Sequence, residues 1–321
     1  MPAFAVTALL SGRIIAAGLA CGLNLYATVA LIGLASRFGW IDLPPSLLGL
    51  GQWILIGAAG ALFVIEFVAA AIPVVDAFWE AAHTVIRPMA AGALALTALE
   101  GTPTSLRIAA GVLAATAAFA AHSAKVGLRL IITRRRSRRL LISAGEDVAA
   151  VILAVAALAY PRLALAAVAT FTLIMAGVGP RFWRASAFAV RATLAVLRGF
   201  FGSRRWLDTR ELPLAIRQRI PAPELGLPDP RATRAALDST ASGPWRNGWL
   251  VLDGRSASFF YRRAFRTLEV RLRRPDDPAI SHGPLADVIA WIDADQTFTL
   301  LVLKDGPSAE IAAGALQLTV R

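Results

Sequence analysis

Up to Gly179 the chain is a succession of apolar runs, most without the polar face that a helix in water would present. Each approaches the ~20 residues that an α-helix needs to cross a bilayer. Spans are expected over about Ile14 to Ser36, Gln52 to Ile72, Met89 to Leu99, Leu106 to Ile132, Ala144 to Tyr160 and Leu163 to Val178. Composition agrees. Of 321 residues 57% are hydrophobic and only 17% charged, with mean hydropathy +0.61, whereas soluble domains are nearer half apolar and about a quarter charged. Residues 1–179 therefore read as an all-α polytopic membrane domain of about six transmembrane helices.

Ionisable groups inside such runs are expensive and should pair, face water or carry function. Pro73 to Pro88 holds Asp76, Glu80, His83 and Arg87, spaced by four, three and four. On a helix these fall within about 60° of one another. The two prolines predict a short bounded helix, lying in the interface or re-entrant, that ends at Pro88. Glu66 lies alone in the second span, Asn24 is the polar residue of the first, and Glu146 and Asp147 open the fifth. In the fourth, His122, Lys125 and Arg129 share one face. Interhelical ion pairs and snorkelling side chains are the plain reading of any one of these. For the whole set a working cluster is the stronger reading. Gly18-xxx-Gly22 offers a close-packing face.

The formal charge is +12, almost all from arginine. Basic residues beside membrane spans explain it better than a nucleic-acid partner, since cytoplasmic flanks are enriched in them. The run Arg134-Arg135-Arg136-Ser137-Arg138-Arg139 marks a cytoplasmic loop. With about six spans both termini are then cytoplasmic, in a bacterial inner membrane. Two halves of three spans each would permit an inverted repeat. Its echoes are Gly22-Leu-Asn-Leu with Gly127-Leu-Arg-Leu, and Glu66-x-Val-Ala-Ala-x-Ile with Glu146-x-Val-Ala-Ala-x-Ile. Met1 to Ala20 is not read as a cleaved leader, because the apolar run continues past Cys21. Cys21 is the single cysteine, so no internal disulfide or zinc framework is expected.

After the spans, Arg184, Arg191 and Arg198 recur every seven residues with Phe188, Leu194 and Phe201 between them. Residues 180–202 thus read as an amphipathic helix on the anionic inner leaflet. Residues 203–243, rich in Pro, Arg and Asp, read as a linker with a short helix near Arg231 to Leu237. From 244 to 321 a small, mainly β, cytoplasmic domain is expected. Its strands are placed at Gly248 to Leu252, Ser258 to Arg262, Phe265 to Arg273, Val288 to Trp291, Thr297 to Leu303 and Leu316 to Val320. Asp253-Gly254 is a hairpin turn signal.

Several motifs fall in order between about Ser11 and Val178: Gly22-Leu-Asn-Leu-Tyr-Ala-Thr-Val, Phe38-Gly, Leu43-Pro44-Pro45, Glu66-Phe-Val, Ile72-Pro73 with Asp76, Trp79, His83-Thr84, Ile86-Arg87-Pro88, His122 with Lys125, and Glu146-Asp147. On these residues the chain resembles a bacterial membrane family known only as domain of unknown function 4126. An Asp-Lys pair usual in that family before Ile-Pro is replaced here by Ala70-Ala71. The resemblance carries no activity with it, and residues after Gly243 lie outside it.

Three functions fit these residues. The first is a small ion- or proton-coupled transporter or channel, with Glu66, His83 or His122 taking protons and Arg87, Lys125 or Arg129 meeting an anionic solute. The second is a membrane metalloprotein built on Glu80-x-x-His83, a spacing that di-metal sites carry twice and this chain once. The third is a non-catalytic anchor presenting the β domain to a protein partner. No nucleophile arrangement, phosphate-cradling loop, nucleic-acid motif or cofactor signature is visible, which favours a non-enzymatic reading.

Overall fold

The computed structural model describes residues 3–132, 136–202, 204–220, 229–239, 243–273, 275, 277–293 and 296–319. The chain divides into two compact units, Met1–Ser186 and Ala187–Arg321.

The first unit is helical: α1 (Ala3–Leu23), α2 (Leu25–Arg37), α3 (Trp53–Ala70), α4 (Pro73–Ala98), α5 (Thr104–Ile132), α6 (Arg136–Ala159) and the first part of α7 (Pro161–Phe201). Among the described residues three helices are long and apolar enough to cross a membrane, Trp53–Ala70, Thr104–Arg129 and Arg162–Phe201. The outward faces of the helices are apolar. Ile54 on α3, Met89 on α4, Ile152 on α6 and Leu173 on α7 are all more than half exposed. The charged stripe of α4 points inward instead, with Glu80, His83 and Arg87 buried in line with Ala91, Gly92 and Ala95.

Helix α5 is the hub, with α1 and α4 packed along it. Gly18 and Gly22 make the α1 contact possible. A Cβ on Gly18 would stand 2.7 Å from the Ala114 carbonyl oxygen, and one on Gly22 would overlap the Ala118 backbone. The small-residue spacing in the sequence is thus where two backbones meet.

Two helix boundaries differ from the sequence expectation. The expected first span is broken at Asn24, whose backbone is extended (φ −147°, ψ 104°) and whose side chain caps α2 by accepting from the Ala27 amide. An Asn oxygen competes with the helical carbonyl for that amide, which is why Asn favours caps over helix interiors. Pro88, conversely, does not end the stripe. α4 runs through it to Ala98. Contacts on both sides carry the helix past the missing N–H: Thr84 and Arg87 meet His122 of α5 before it, and Gly92 lies against Gly111 of α5 after it.

The second unit is an antiparallel sheet with strand order β5-β4-β3-β2-β8-β7-β6 and β1 paired to β2. Its strands are β1 (Leu207–Asp208), β2 (Arg231–Ser239), β3 (Gly243–Leu252), β4 (Ala257–Arg263), β5 (Arg266–Leu272), β6 (Ala279–His282), β7 (Ala286–Asp293) and β8 (Gln296–Leu303). One face carries Leu237, Leu250, Phe259, Ile289, Leu300 and Val302, covered by α9 (Ala309–Thr319). On the other face Ala236, Leu301 and Leu303 meet Phe188, Ala192 and Ala195 from the end of α7. Leu212 and Ile216, the latter in the single-turn helix α8 (Leu214–Arg217), cover Ala232, Val251 and Phe260.

Here too the expectation changes. Residues 203–243, read as a linker, supply β1, α8 and the central strand β2, and Arg231 to Leu237 is strand rather than helix. Leu316 lies in α9, not in a strand, and Val320 is outside the described residues. The amphipathic segment at 180–202 is the end of one continuous α7, and Phe188 is buried against the sheet while Leu194 and Phe201 stay exposed. Arg134 and Arg135 lie outside the described residues, as do the side chains of Arg136, Arg138 and Arg139.

Candidate functional site

The break at Asn24 sits inside a buried network of charge drawn from four helices. In a continuous helix the Leu23 carbonyl would accept from the Ala27 amide. That amide is given to the Asn24 side chain instead. The Gly22 and Leu23 carbonyls turn to cations: Arg87 Nη1 donates to them at 2.8 and 2.7 Å, and Lys125 Nζ to Leu23 at 3.2 Å. The negative end of the α1 dipole therefore faces two positive side chains, the favourable arrangement.

Carboxylates complete the network. Glu66 Oε1 accepts from Arg87 Nη2 at 2.5 Å and from Lys125 Nζ at 2.9 Å. Glu80 Oε1 lies 3.0 Å from Lys125 Nζ and 3.1 Å from Arg129 Nη1. Arg129 also reaches Asp76 at 3.3 Å, Glu146 at 2.5 Å and the Ser143 hydroxyl at 3.1 Å. Asn24 Nδ2 donates to Asp147 Oδ1 at 2.8 Å. The Arg87 side chain is fully buried and that of Lys125 is 1% exposed. Charges so far from water stay only where every one is answered.

The answer here is uneven. Among the described residues five carboxylates (Glu66, Asp76, Glu80, Glu146, Asp147) face three permanent cations (Arg87, Lys125, Arg129). Glu66 Oε2, Glu80 Oε2 and Arg87 Nε are buried without a hydrogen-bond partner. The network has polar capacity left over, the condition for taking up a proton, water or an ion.

The two histidines differ in what they can do. His83 Nδ1 lies 2.7 Å from the Trp79 carbonyl, so it donates there, and Nε2 accepts from the Tyr26 hydroxyl at 2.8 Å. Trp79 stacks on the ring at 4.7 Å. His83 is thus held at the rim. His122 is inside: Nε2 donates to the Glu80 carbonyl at 3.1 Å, leaving Nδ1 3.4 Å from Arg87 Nη1 and 3.5 Å from Glu80 Oε2. A proton on Nδ1 would pair directly with Glu80.

Ten of the eleven residues singled out in the sequence meet in this network, and His83 borders it. Sequence reasoning missed Tyr26, Thr84, Ser143 and the two carbonyls of α1. A capping Asn in mid-span was the one signal that could have found the carbonyls. Glu80 and His83, offered as metal ligands, do not converge on one point. Glu80 is held by cations and both His83 nitrogens are engaged. Among the described residues no group of three or more His, Cys, Asp or Glu is placed to hold a metal.

The other half of the same helices encloses a cleft of about 570 Å³. Ile14, Ala17, Leu94 and Ala95 line it with apolar surface, and Arg13 and Asp42 are the charged residues of its lining. Arg13 donates to the Ala157 carbonyl at 2.9 Å and to that of Leu158. Cys21 and Ala91 also line it. The next residue of α1 and the next turn of α4 bring in Gly22 and Arg87, members of the network.

A family model described as Domain of unknown function (DUF4126) matches residues 12–181. No curated protein and no solved structure matches the chain.

Proposed function

The chain belongs to the DUF4126 family, and from that premise we propose that its helical unit is a small ion- or proton-coupled transporter of the bacterial inner membrane. In this reading about six crossings carry both termini on the cytoplasmic side. The pair α1–α2 makes one interrupted crossing. α3, α4, α5, α6 and the first part of α7 make the others. Arginines 134–139 mark the cytoplasmic face, and Arg184, Arg191 and Arg198 meet its anionic lipids.

The observation that carries the reading is the interrupted helix. Its freed Gly22 and Leu23 carbonyls are gripped by Arg87 and Lys125 inside a network where, among the described residues, carboxylates outnumber cations. Transport sites are built at such discontinuities, where carbonyls and helix ends can change partners cheaply. A proton arriving on Glu66 or Glu80 would weaken its hold on Arg87 and Lys125, and a released cation could then meet an anionic solute. The largely apolar cleft that includes Cys21 and Ala91, one residue from Gly22 and one turn from Arg87, supports a path toward the network.

The test is proton movement in proteoliposomes carrying an internal pH dye, under an imposed potential, for wild type and for Glu66→Gln and Glu80→Gln. Flux above protein-free vesicles, reduced ten-fold or more in either variant, is the expected result. Equal leak in all samples, repeated across a solute panel, would leave only a structural ion-pair network. A second reading rests on the β unit, whose sheet has its own core. As an anchor, the helical unit would present that sheet to a protein partner, and flux would be absent.

A further inference from the structure

The turn between β4 and β5 is built against the grain of a stable hairpin. Arg263 pairs with Arg266 across a two-residue loop of Ala264 and Phe265. Ala264 adopts φ 52°, a left-handed conformation that glycine, asparagine or aspartate would take more easily. Phe265 is 99% exposed, the most exposed large apolar side chain among the described residues. Arg262, Arg263 and Arg266 surround it, all exposed and none ion-paired with a described residue. The nearest acidic group along the hairpin, Glu269, is already taken by Ser258 and Arg271. β5 is an edge strand, so no neighbouring strand screens the tip.

Strain and a bare aromatic at one point ask for a partner. A phenyl ring ringed by guanidinium groups, with no acid among them, matches an anionic lipid surface: phosphates for the arginines, the acyl boundary for the ring. The same unit contains the end of α7, a helix apolar enough to cross a membrane. A bilayer is therefore always within tethered reach, and a weak contact becomes effective at high local concentration.

We propose that the β4–β5 tip, Phe265 with Arg262, Arg263 and Arg266, is a membrane-docking site for anionic phospholipid. The proposal rests on the membrane reading of the chain but not on transport. The test uses the full chain reconstituted in bilayers with and without phosphatidylglycerol. Ala264→Cys in a Cys21→Ser background, with Phe265 kept, carries an environment-sensitive fluorophore, and a label on Ile292→Cys, at an exposed site in β7, is the control. Retention in the vesicles after alkaline carbonate checks the membrane reading separately.

The label at 264 is expected to be quenched by lipid-borne nitroxide only when phosphatidylglycerol is present, while the label at 292 answers to aqueous iodide throughout. Arg263→Gln should shift the docked-to-undocked ratio about five-fold toward water, and loss of all three arginines about a hundred-fold. Iodide access at 264 in both bilayers would overturn the proposal. So would lipid quenching that ignores phosphatidylglycerol and the arginines, or equal quenching at 292.

Discussion

Glu66 is the residue on which the buried network most depends, because its one oxygen holds two cations. Glu66→Gln leaves Arg87 and Lys125 short of an anion in the interior, a loss of about 3–5 kcal/mol for a buried pair. A fall in the thermal midpoint of the detergent-purified protein is the expected readout. Adding Lys125→Met should restore part of that loss, since the two share a partner and their effects are not additive. A second residue gives a pH dependence. Burial pushes the Asp253 carboxyl up, but backbone N–H groups of Ser256 and Arg255 outweigh it and hold it below the ordinary carboxylate range. A depressed value stabilises the folded hairpin above the unfolded carboxylate range and loses that contribution as pH falls through the folded value. Melting of the β unit should therefore become less acid-sensitive in Asp253→Asn, measured by tryptophan emission at neutral and acid pH.

These site residues were legible in the sequence for a plain reason: ionisable groups stand out against an apolar background where each is expensive. What the sequence withheld was pairing. Nothing in the spacing says that Arg129 serves three carboxylates, or that His83 turns aside to Tyr26.

Elements were less legible, and each failure has its own cause. Asn24 is one polar residue among leucines and alanines, so the apolar run reads straight across the break. Pro88 reads as a stop because local propensity knows nothing of the α5 contacts that carry α4 past it. Strand β2 hides because both faces of the sheet are covered, so its alanines are buried on either side and no period of two survives. At this scale the sharpest prediction concerns α1. Gly22→Leu forces a side chain into the Ala118 backbone and should cost about 1–3 kcal/mol or more as α1 is pushed off α5. A lower thermal midpoint, with faster hydrogen exchange at residues 18–23 and 114–118, would show it. Asn24→Ala removes the cap, about 1 kcal/mol, together with the hydrogen bond to Asp147, and should raise exchange first at the Ala27 amide.

The whole molecule holds two kinds of interior. The helical unit holds a buried network of charge within alanine-rich packing and is apolar outside, with Ile54, Met89 and Ile152 facing outward. The sheet unit is apolar inside, and Leu237, Leu250, Phe259 and Leu300 are its centre. Urea acts on the second kind by solvating apolar and peptide groups, while helices in detergent keep their hydrogen bonds. Unfolding of the full chain should then show two transitions rather than one: first the β signal with Trp291 emission, later the helical signal. A single coincident transition would mean that the units are one cooperative body. The division into a helical part and a sheet part was readable from the change of period near residue 244. The true extent of the sheet was not, since its middle strand lies upstream.

Cys21 is buried in the lining of the cleft, and the carbonyl of the next residue, Gly22, is in the grip of Arg87. It is also the chain's one thiol. The native protein thus carries a clock at the wall between its two halves. While α1 and α4 stay closed, the sulfur is out of reach of a maleimide. Each excursion that parts them exposes it, so the alkylation rate of unaltered protein reports the open population where reclosing outruns the reagent and the opening rate where it does not.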